Sequence, residues 1–244
     1  TVVYTETPGS LTFELQDVPA AVKAAKKIGA TVILDNTYLA PAMNKPFEWG
    51  VDVSLYSGSK YLSGHSDLVM GVVTGTKDAM QKVRHTHHHL GSCPGPDDVY
   101  LAQRGLRTLS ARWPVHEKAA LEIAQWMQSI PEVKQVLHPA LPSCPGHEIW
   151  KRDLKTSNGL FAIVLGPTSF NKLAALFDGM ELFGMGYSWG GYESLMIHCP
   201  LHAIRNHSHI AKDDVVLRLH IGLEDIEDLK ADLQAGFERL RRAS

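Results

Sequence analysis

The first 35 residues place the strongest constraint on the fold, because strand-like and helix-like patterns alternate within them. Residues 1–5 are β-branched or aromatic, and Thr31 to Leu34 form a second short apolar run. Between the two runs, Asp17 can cap a helix whose apolar residues recur at helical spacing as far as Gly29. A strand, a helix and a strand in this order predict a right-handed βαβ unit in a parallel sheet.

The rest of the chain continues this alternation and then changes character. Pro114 is expected to interrupt a long helical stretch, and we place a domain change near Leu106 within that stretch. Strands that alternate with helices after this point indicate a small α+β domain. The predicted elements are strands at 51–56, 68–75, 160–165 and 215–221, and helices at 77–90, 100–130, 169–177 and 224–241.

The composition argues against two classes of partner. The chain has 244 residues and a formal net charge of -2, so it lacks the basic field of a nucleic-acid binder. Its apolar stretches fall well short of the roughly 18 to 20 residues that cross a bilayer. We therefore predict neither a nucleic-acid partner nor a membrane partner.

The three cysteines are far apart and odd in number, which fits poorly with a secreted disulfide framework and favours the cytoplasm.

Two of the predicted strand ends carry residues that can do chemistry. Asp35 follows the strand at 31–34, and Lys60 follows the strand at 51–56. Ligands of parallel sheets gather at the carboxyl ends of the strands, so we expect the acid and the amine to face the same side. The spacing between them leaves open whether the two strands are neighbours.

The residues around Lys60 suit a carbonyl cofactor that carries a phosphate. A lysine in an apolar site attacks an aldehyde readily, and a carboxylate such as Asp35 keeps a ring nitrogen protonated. Ser57 and Ser59 can donate hydrogen bonds to a phosphate dianion, while Gly58 lets the backbone come close. The alternative is that Asp35 caps a turn and that Lys60 is a solvated loop residue.

Eight short strings carry a family resemblance. They are Asp35-Asn36-Thr37, Ser57-Gly58-Ser59-Lys60-Tyr61, Gly64-His65-Ser66-Asp67, Glu6-Thr7-Pro8-Gly9-Ser10, Arg104-Gly105-Leu106-Arg107-Thr108-Leu109, His138-Pro139-Ala140-Leu141-Pro142, Tyr187-Ser188-Trp189-Gly190-Gly191-Tyr192-Glu193-Ser194-Leu195 and Arg218-Leu219-His220-Ile221-Gly222-Leu223-Glu224-Asp225. Together they resemble the Cys/Met-metabolism branch of the fold-type I pyridoxal-phosphate enzymes. Within that branch, the Tyr-Ser-Trp-Gly-Gly-Tyr-Glu-Ser string is more similar to the cystathionine β-lyases than to the γ-lyases or γ-synthases.

The resemblance implies a fold, a cofactor and the residues that hold it. The fold would be α/β, with a mostly parallel central sheet, helices on both faces of that sheet and a smaller C-terminal α+β domain. Residues 1–105 would be the later part of the large domain that binds pyridoxal 5'-phosphate, and residues 106–244 the small domain. Lys60 would carry the cofactor covalently, Asp35 would pair with its ring nitrogen, and Ser57 with Ser59 would bind its phosphate.

The resemblance also implies a substrate and a reaction. Arg218 would grip the α-carboxylate of a small thioether amino acid, and Ser188 and Trp189 would line the pocket beside it. The activity would be β-elimination of cystathionine to homocysteine, pyruvate and ammonia. The alternatives are a γ-lyase, a promiscuous cysteine-conjugate β-lyase, or a non-catalytic fragment or assembly subunit.

The family likeness carries an expectation about assembly. Members are usually tetramers, so we expect a homo-oligomer whose active site is shared with a neighbouring subunit. The chain starts at Thr1 within a strand pattern, and we therefore expect it to be the later part of a longer protein. The aromatic residue that stacks on the cofactor, and part of the phosphate site, would then lie outside this sequence.

Other polar residues receive structural interpretations. His85 and His89 are four apart on a predicted helix, but no acidic or cysteine ligand stands beside them at helical spacing, so we predict a solvated helix end and no metal. Cys93 and Cys199 are interpreted as passive thiols. Arg107 and Arg112 are interpreted as surface residues in salt bridges.

Overall fold

The computed structural model describes residues 1–40 and 43–244 and arranges them around two four-stranded sheets. The first sheet has the order β1 (Val2–Glu6), β2 (Thr31–Asp35), β3 (Val53–Ser57), β4 (Gly71–Gly75). Its first three strands are parallel and β4 is antiparallel. The second sheet is wholly antiparallel, in the order β5 (Val133–Leu137), β6 (Leu160–Leu165), β8 (Val215–His220), β7 (Leu195–Cys199). The predicted α/β class, with a mostly parallel first sheet and a C-terminal α+β part, is confirmed.

Seven helices accompany the sheets in the part of the chain that the structure describes. They are α1 (Val18–Lys27), α2 (Lys77–Leu90), α3 (Pro96–Met127), α4 (His147–Ile149), α5 (Phe170–Phe177), α6 (Leu201–Ile204) and α7 (Ile226–Arg242), with a 3-10 turn at Pro46–Trp49 and π-helical turns at Gly58–Leu62 and Trp150–Leu154. None of these helices combines the length and the apolar character needed to span a bilayer.

Helix α1 begins and packs as its sequence predicts. The side chain of Asp17 accepts a hydrogen bond from the backbone N–H of Ala20, which caps the first turn. Val18, Val22 and Ala25 are buried against the apolar residues of β2. This packing covers one face of the first sheet and leaves Asp35 on the other.

Helix α3 runs for 32 residues and is not interrupted at Pro114, which corrects the prediction. A proline inside a helix removes one backbone hydrogen bond, and the predicted interruption rested on this local loss of stability alone. Here burial on both sides of the proline outweighs it: Leu109 and Trp113 pack against Tyr61, and Ile123 is part of the second core. The domain change that we place near Leu106 falls inside this helix, so the division at residues 105 and 106 stays a prediction.

The second sheet and helix α7 enclose the larger core. Phe161, Ile163 and Leu217 from the sheet meet Leu233 and Phe237 from the helix, and all five are almost completely buried. Burying side chains of this size contributes about 1.5 to 3 kcal/mol each.

Two strands of this sheet were absent from the predicted set. The run Val133 to Leu137 contains Lys134 and Gln135, and the run Leu195 to Cys199 contains His198, so neither run is purely apolar. Both runs are stabilised by pairing with neighbouring strands, and a local sequence pattern does not reveal such pairing.

Candidate active site

The ends of β2 and β3 lie side by side, which settles the adjacency that spacing left open. Asp35 is in register with Leu55, and the backbone N–H of Asn36 donates to the carbonyl of Leu55 at 2.8 Å. The Thr37 hydroxyl then donates to Asp35 Oδ1 at 2.6 Å and accepts from the backbone N–H of Ser57 at 2.9 Å. Thr37, to which sequence reasoning assigned no role, therefore links the carboxylate to the strand that precedes Lys60.

The Asp35 carboxylate is fixed by three donors. Besides the Thr37 hydroxyl, Oδ1 accepts from the backbone N–H of Thr37 at 3.0 Å, and Oδ2 accepts from the Tyr4 hydroxyl at 3.3 Å. Partial burial and the neighbouring Asp35 charge raise the pKa of Tyr4, so this residue stays a donor. Tyr4 lies on β1 and was also missed by sequence reasoning, since its partner is 31 residues away.

A π-helical turn carries Lys60 away from the end of β3. Its first residue, Gly58, donates from its backbone N–H to the carbonyl of Met70 at 2.7 Å, and a Cβ at Gly58 would lie 3.1 Å from that carbonyl oxygen. Ser59 Oγ accepts from the backbone N–H of Met70 at 3.0 Å, which leaves the hydroxyl hydrogen of Ser59 to donate elsewhere. The end of β3 and the turn thus carry two serines, Ser57 and Ser59, and one lysine, in the strand next to the one that ends at Asp35.

The Lys60 amine meets the glycine-rich loop that follows α5. Its Nζ donates to Ser188 Oγ at 2.9 Å and lies 5.3 Å from the ring centroid of Trp189. Burial, followed by the positive charge of Arg218, lowers the pKa of Lys60. A larger share of the amine is therefore neutral and nucleophilic near neutral pH than in an exposed lysine.

Arg218 is buried on β8 and donates hydrogen bonds to this same loop. One of its terminal nitrogens, Nη2, donates to the carbonyls of Gly186, Tyr187 and Ser188 at 3.2, 2.9 and 3.2 Å. Its Nε is buried and has no hydrogen-bond partner within residues 1–40 and 43–244. Arg218 also lines a cavity of about 60 Å³, together with Glu6, Pro8, Gly9, Ser10, Leu11, Phe13, Tyr38, Leu160 and Trp189. A guanidinium at such a cavity suits a small anion such as a carboxylate.

Arg112 is buried on α3 and holds the lysine turn, so its interpretation as a surface salt bridge is wrong. Its Nη2 donates to the carbonyls of Tyr61 and Gly105, each at 2.9 Å. The helix can come this close because residue 105 is glycine: a Cβ there would lie 2.2 Å from the carbonyl oxygen of Ser63. The basic residue is thus paired with backbone oxygens, which a sequence pattern does not reveal.

The remaining candidates stand apart from this site. The rings of His85 and His89 are 4.2 Å apart, and His89 Nδ1 contacts the carbonyl oxygen of His85. In the part of the chain that the structure covers, no group of three or more possible metal ligands occurs. Cys93 is exposed, whereas burial raises the pKa of the Cys199 thiol and that of the Cys144 thiol, the latter to about 12.

Three buried histidines make the stability of the fold sensitive to acid. Burial lowers the pKa of His116 and His138 to about 4 and that of His220 to about 3. Below about pH 6.5 the unfolded chain binds protons that the folded chain does not, so stability is complete above that pH and is lost as the pH falls.

We expect each of these histidines to lower the free energy of unfolding by about 2 kcal/mol at pH 5 relative to pH 7. The measurement is the urea midpoint at the two pH values, and His138→Leu should remove about a third of the difference. Equal midpoints at pH 5 and pH 7 would contradict this expectation.

The assembled groups fit one cofactor. Pyridoxal 5'-phosphate has an aldehyde, a ring nitrogen and a phosphate. The site offers, in the same order, an amine of lowered pKa, a carboxylate fixed by three donors and two serine hydroxyls at a tight turn. The site therefore has the donor set of a pyridoxal-phosphate enzyme, although the assignment of each residue to its role stays a prediction.

Comparison with known proteins identifies the family. Residues 1–238 match the family described as Cys/Met metabolism PLP-dependent enzyme. A putative cystathionine beta-lyase of Rhizobium johnstonii is 46% identical over 97% of this chain and 60% of its own length. Cystathionine beta-lyase MetC of Escherichia coli is 43% identical over 98% of this chain and 62% of its own length. The chain belongs to the Cys/Met metabolism family of PLP-dependent enzymes.

A solved structure supports the fold assignment. The crystal structure of a cystathionine gamma synthase from Xanthomonas oryzae pv. oryzae in complex with cystathionine matches with a TM-score of 0.91 and 36% identity. The match covers 98% of this chain and 63% of that one. The chain thus spans about three-fifths of the length of the relatives that it matches.

Proposed function

We propose that the protein is a carbon-sulfur lyase that cleaves cystathionine by β-elimination to homocysteine, pyruvate and ammonia. The observation that carries the proposal is the Lys60 amine, which donates to Ser188 Oγ and whose pKa is lowered by burial and by the charge of Arg218. The similarity to relatives named cystathionine beta-lyase supports the choice of reaction.

The cofactor site is proposed to form at the ends of β2 and β3. Pyridoxal phosphate, when bound, supplies an aldehyde for the lysine and a ring that stores negative charge. Asp35 would hold the proton on the ring nitrogen, since three donors keep its carboxylate in place. Ser57 and Ser59 would donate their hydroxyl hydrogens to the phosphate.

The substrate would be held and deprotonated by residues of the loop and of β8. Arg218 would bind the α-carboxylate of the thioether amino acid at the cavity that it lines. The neutral amine of Lys60 would remove the Cα proton and later return a proton to the departing sulfur. Ser188 Oγ and the Trp189 ring would aim that amine.

The products separate this reaction from its nearest alternative. With cystathionine and added cofactor, β-elimination gives homocysteine and pyruvate, whereas γ-elimination gives cysteine and 2-oxobutyrate. The similarity to the Xanthomonas oryzae γ-synthase makes γ chemistry the second candidate. Chain that binds the cofactor but releases no thiol would overturn both and favour a non-catalytic assembly subunit.

We also propose a cytoplasmic location and a homotetramer in which neighbouring subunits share the active site. The three unpaired cysteines support a reducing compartment, and the family resemblance supports the assembly. Light scattering on the purified protein measures the assembly directly. A mass equal to that of one chain would contradict the tetramer.

A further inference from the structure

The segment from Gly186 to Glu193, here called the site loop, crosses directly over the turn that carries Lys60. At Gly190 a Cβ would lie 2.7 Å from the backbone nitrogen of Tyr61 and 3.1 Å from Cα of Lys60. Gly190 also has a φ of +84°, which favours glycine. The site loop therefore lies against the backbone of the lysine turn at Gly190.

His220 holds the site loop in this position. Its Nε2 accepts from the backbone N–H of Gly190 at 3.0 Å, and its Nδ1 contacts the carbonyl oxygen of Glu193 at the same distance. These two contacts define the tautomer, with Nδ1 as donor and Nε2 as acceptor. The imidazole thus bridges two points of the loop that are three residues apart.

The position of His220 in the sheet makes this bridge part of a two-point clamp. On a strand, residues two apart project to the same face, so Arg218 and His220 both point at the site loop from β8. Arg218 binds the first half, Gly186 to Ser188, and His220 binds the second half. Ser188, which contacts the Lys60 amine, is the last residue that Arg218 binds and stands two residues before Gly190, where His220 binds.

The surroundings of His220 keep this bridge intact. The side chain is completely buried and packs 5.7 Å from the Tyr61 ring and 5.5 Å from the His116 ring, centroid to centroid. Because burial lowers its pKa to about 3, the imidazole stays neutral and keeps its acceptor at ordinary pH.

Other contacts also hold the site loop. The Trp189 ring packs against that of Tyr61, with ring centroids 5.7 Å apart, and the backbone N–H of Leu223 donates to the carbonyl of Tyr192 at 2.8 Å. Ser66 Oγ donates to the Glu193 carboxylate, and Glu224 accepts from the backbone N–H and the hydroxyl of Ser194. His220 is the partner of the Gly190 N–H, at a point where the backbone of the site loop lies against that of the lysine turn.

We propose that His220 is a positioning residue for the Lys60 amine, acting through the site loop that it fastens to the lysine turn. The proposal rests on the proposed function only in that the amine is the reacting group. It adds that the environment of this amine depends on a side chain that touches neither the amine nor the substrate.

The test measures the amine in the cofactor-free chain, so it does not depend on turnover. Lysines are labelled with trace acetic anhydride across a pH series, and the Lys60 peptide is quantified by mass spectrometry. The rate at pH 8 divided by the plateau rate at pH 11 gives the deprotonated fraction and cancels differences in access. Arg218 is the charged group that lowers the pKa of this amine, and the Lys60 charge in turn helps to lower the pKa of His220.

His220→Phe removes both hydrogen bonds and keeps an aromatic ring in the core. We expect the ratio for Lys60 to fall by about threefold, because a detached loop lets water reach the amine. His220→Gln can donate and accept, and it should keep the ratio near that of the unaltered chain. Gly190→Ala pushes the loop off the turn and should lower the ratio with His220 intact. This variant provides the test if His220→Phe does not fold.

His116→Phe is the matched control. His116 is equally buried in the same aromatic cluster, but its Nδ1 contacts the carbonyl of Ile221 and not the site loop. It should leave the ratio unchanged. Unchanged ratios in His220→Phe and Gly190→Ala, or an equal fall in His116→Phe, would overturn the proposal. Absence of lyase products would instead count against the proposed function alone.

Discussion

Replacing Lys60 with alanine is expected to abolish the visible absorbance of the cofactor-loaded protein and to lower kcat by about a thousandfold or more, since both the covalent anchor and the base are lost. Among residues 1–40 and 43–244, the amine has Ser188 Oγ as its one hydrogen-bond partner, and this hydroxyl is not basic enough to replace it. The measurements are an absorbance scan with added pyridoxal phosphate and trapping of the linked lysine with borohydride.

Lys118→Ala is the control for this substitution. Lys118 is exposed on α3, and no step of the proposed reaction uses it, so the variant should keep both the absorbance and the trapped peptide. An unchanged absorbance in Lys60→Ala would show that another amine carries the cofactor. Failure of the unaltered chain to bind the cofactor would favour the non-catalytic alternative.

Arg218→Lys is expected to lower kcat/KM by about a hundredfold, with most of the change in KM. Lysine keeps the charge but lacks the planar guanidinium, so it cannot bind a carboxylate while also reaching the loop carbonyls. A loss of this size corresponds to one or two hydrogen bonds to a charged group. Steady-state kinetics over a range of cystathionine concentrations measure it.

Arg239→Lys is the matched control, because Arg239 also donates to backbone carbonyls, those of Ala175 and Leu176, but at a distant position. It should weaken stability and leave KM unchanged. If KM for Arg218→Lys equals that of the unaltered protein, the carboxylate of the substrate binds elsewhere.

Much of the candidate site was predictable because its parts are local. Asp35 and Lys60 each follow an apolar run, and strand ends in parallel sheets gather on one edge. The apolar site that the sequence predicts for this lysine agrees with the burial that lowers its pKa. Short-range pattern was enough for α1 and α2 as well, since their caps lie within three residues.

The residues that hold the site in place were not predictable, because their partners are far away in the sequence. Arg112 and its partner Tyr61 are 51 residues apart, and His220 and Gly190 are 30 apart. Nothing at either position distinguishes a buried arginine or histidine from a solvated one, because the partners are backbone atoms. The same holds for β5 and β7, which are strands because of their neighbours.

Helix α3 sets limits on how the gene could be divided or rearranged. Its first half holds the lysine turn through Gly105 and Arg112, and its second half belongs to the core of the second sheet. A split-protein design that cuts at residues 91–95 leaves Lys60 on one piece and the guanidinium that fastens its turn on the other. The two pieces could then report their reassembly through the reactivity of a single lysine.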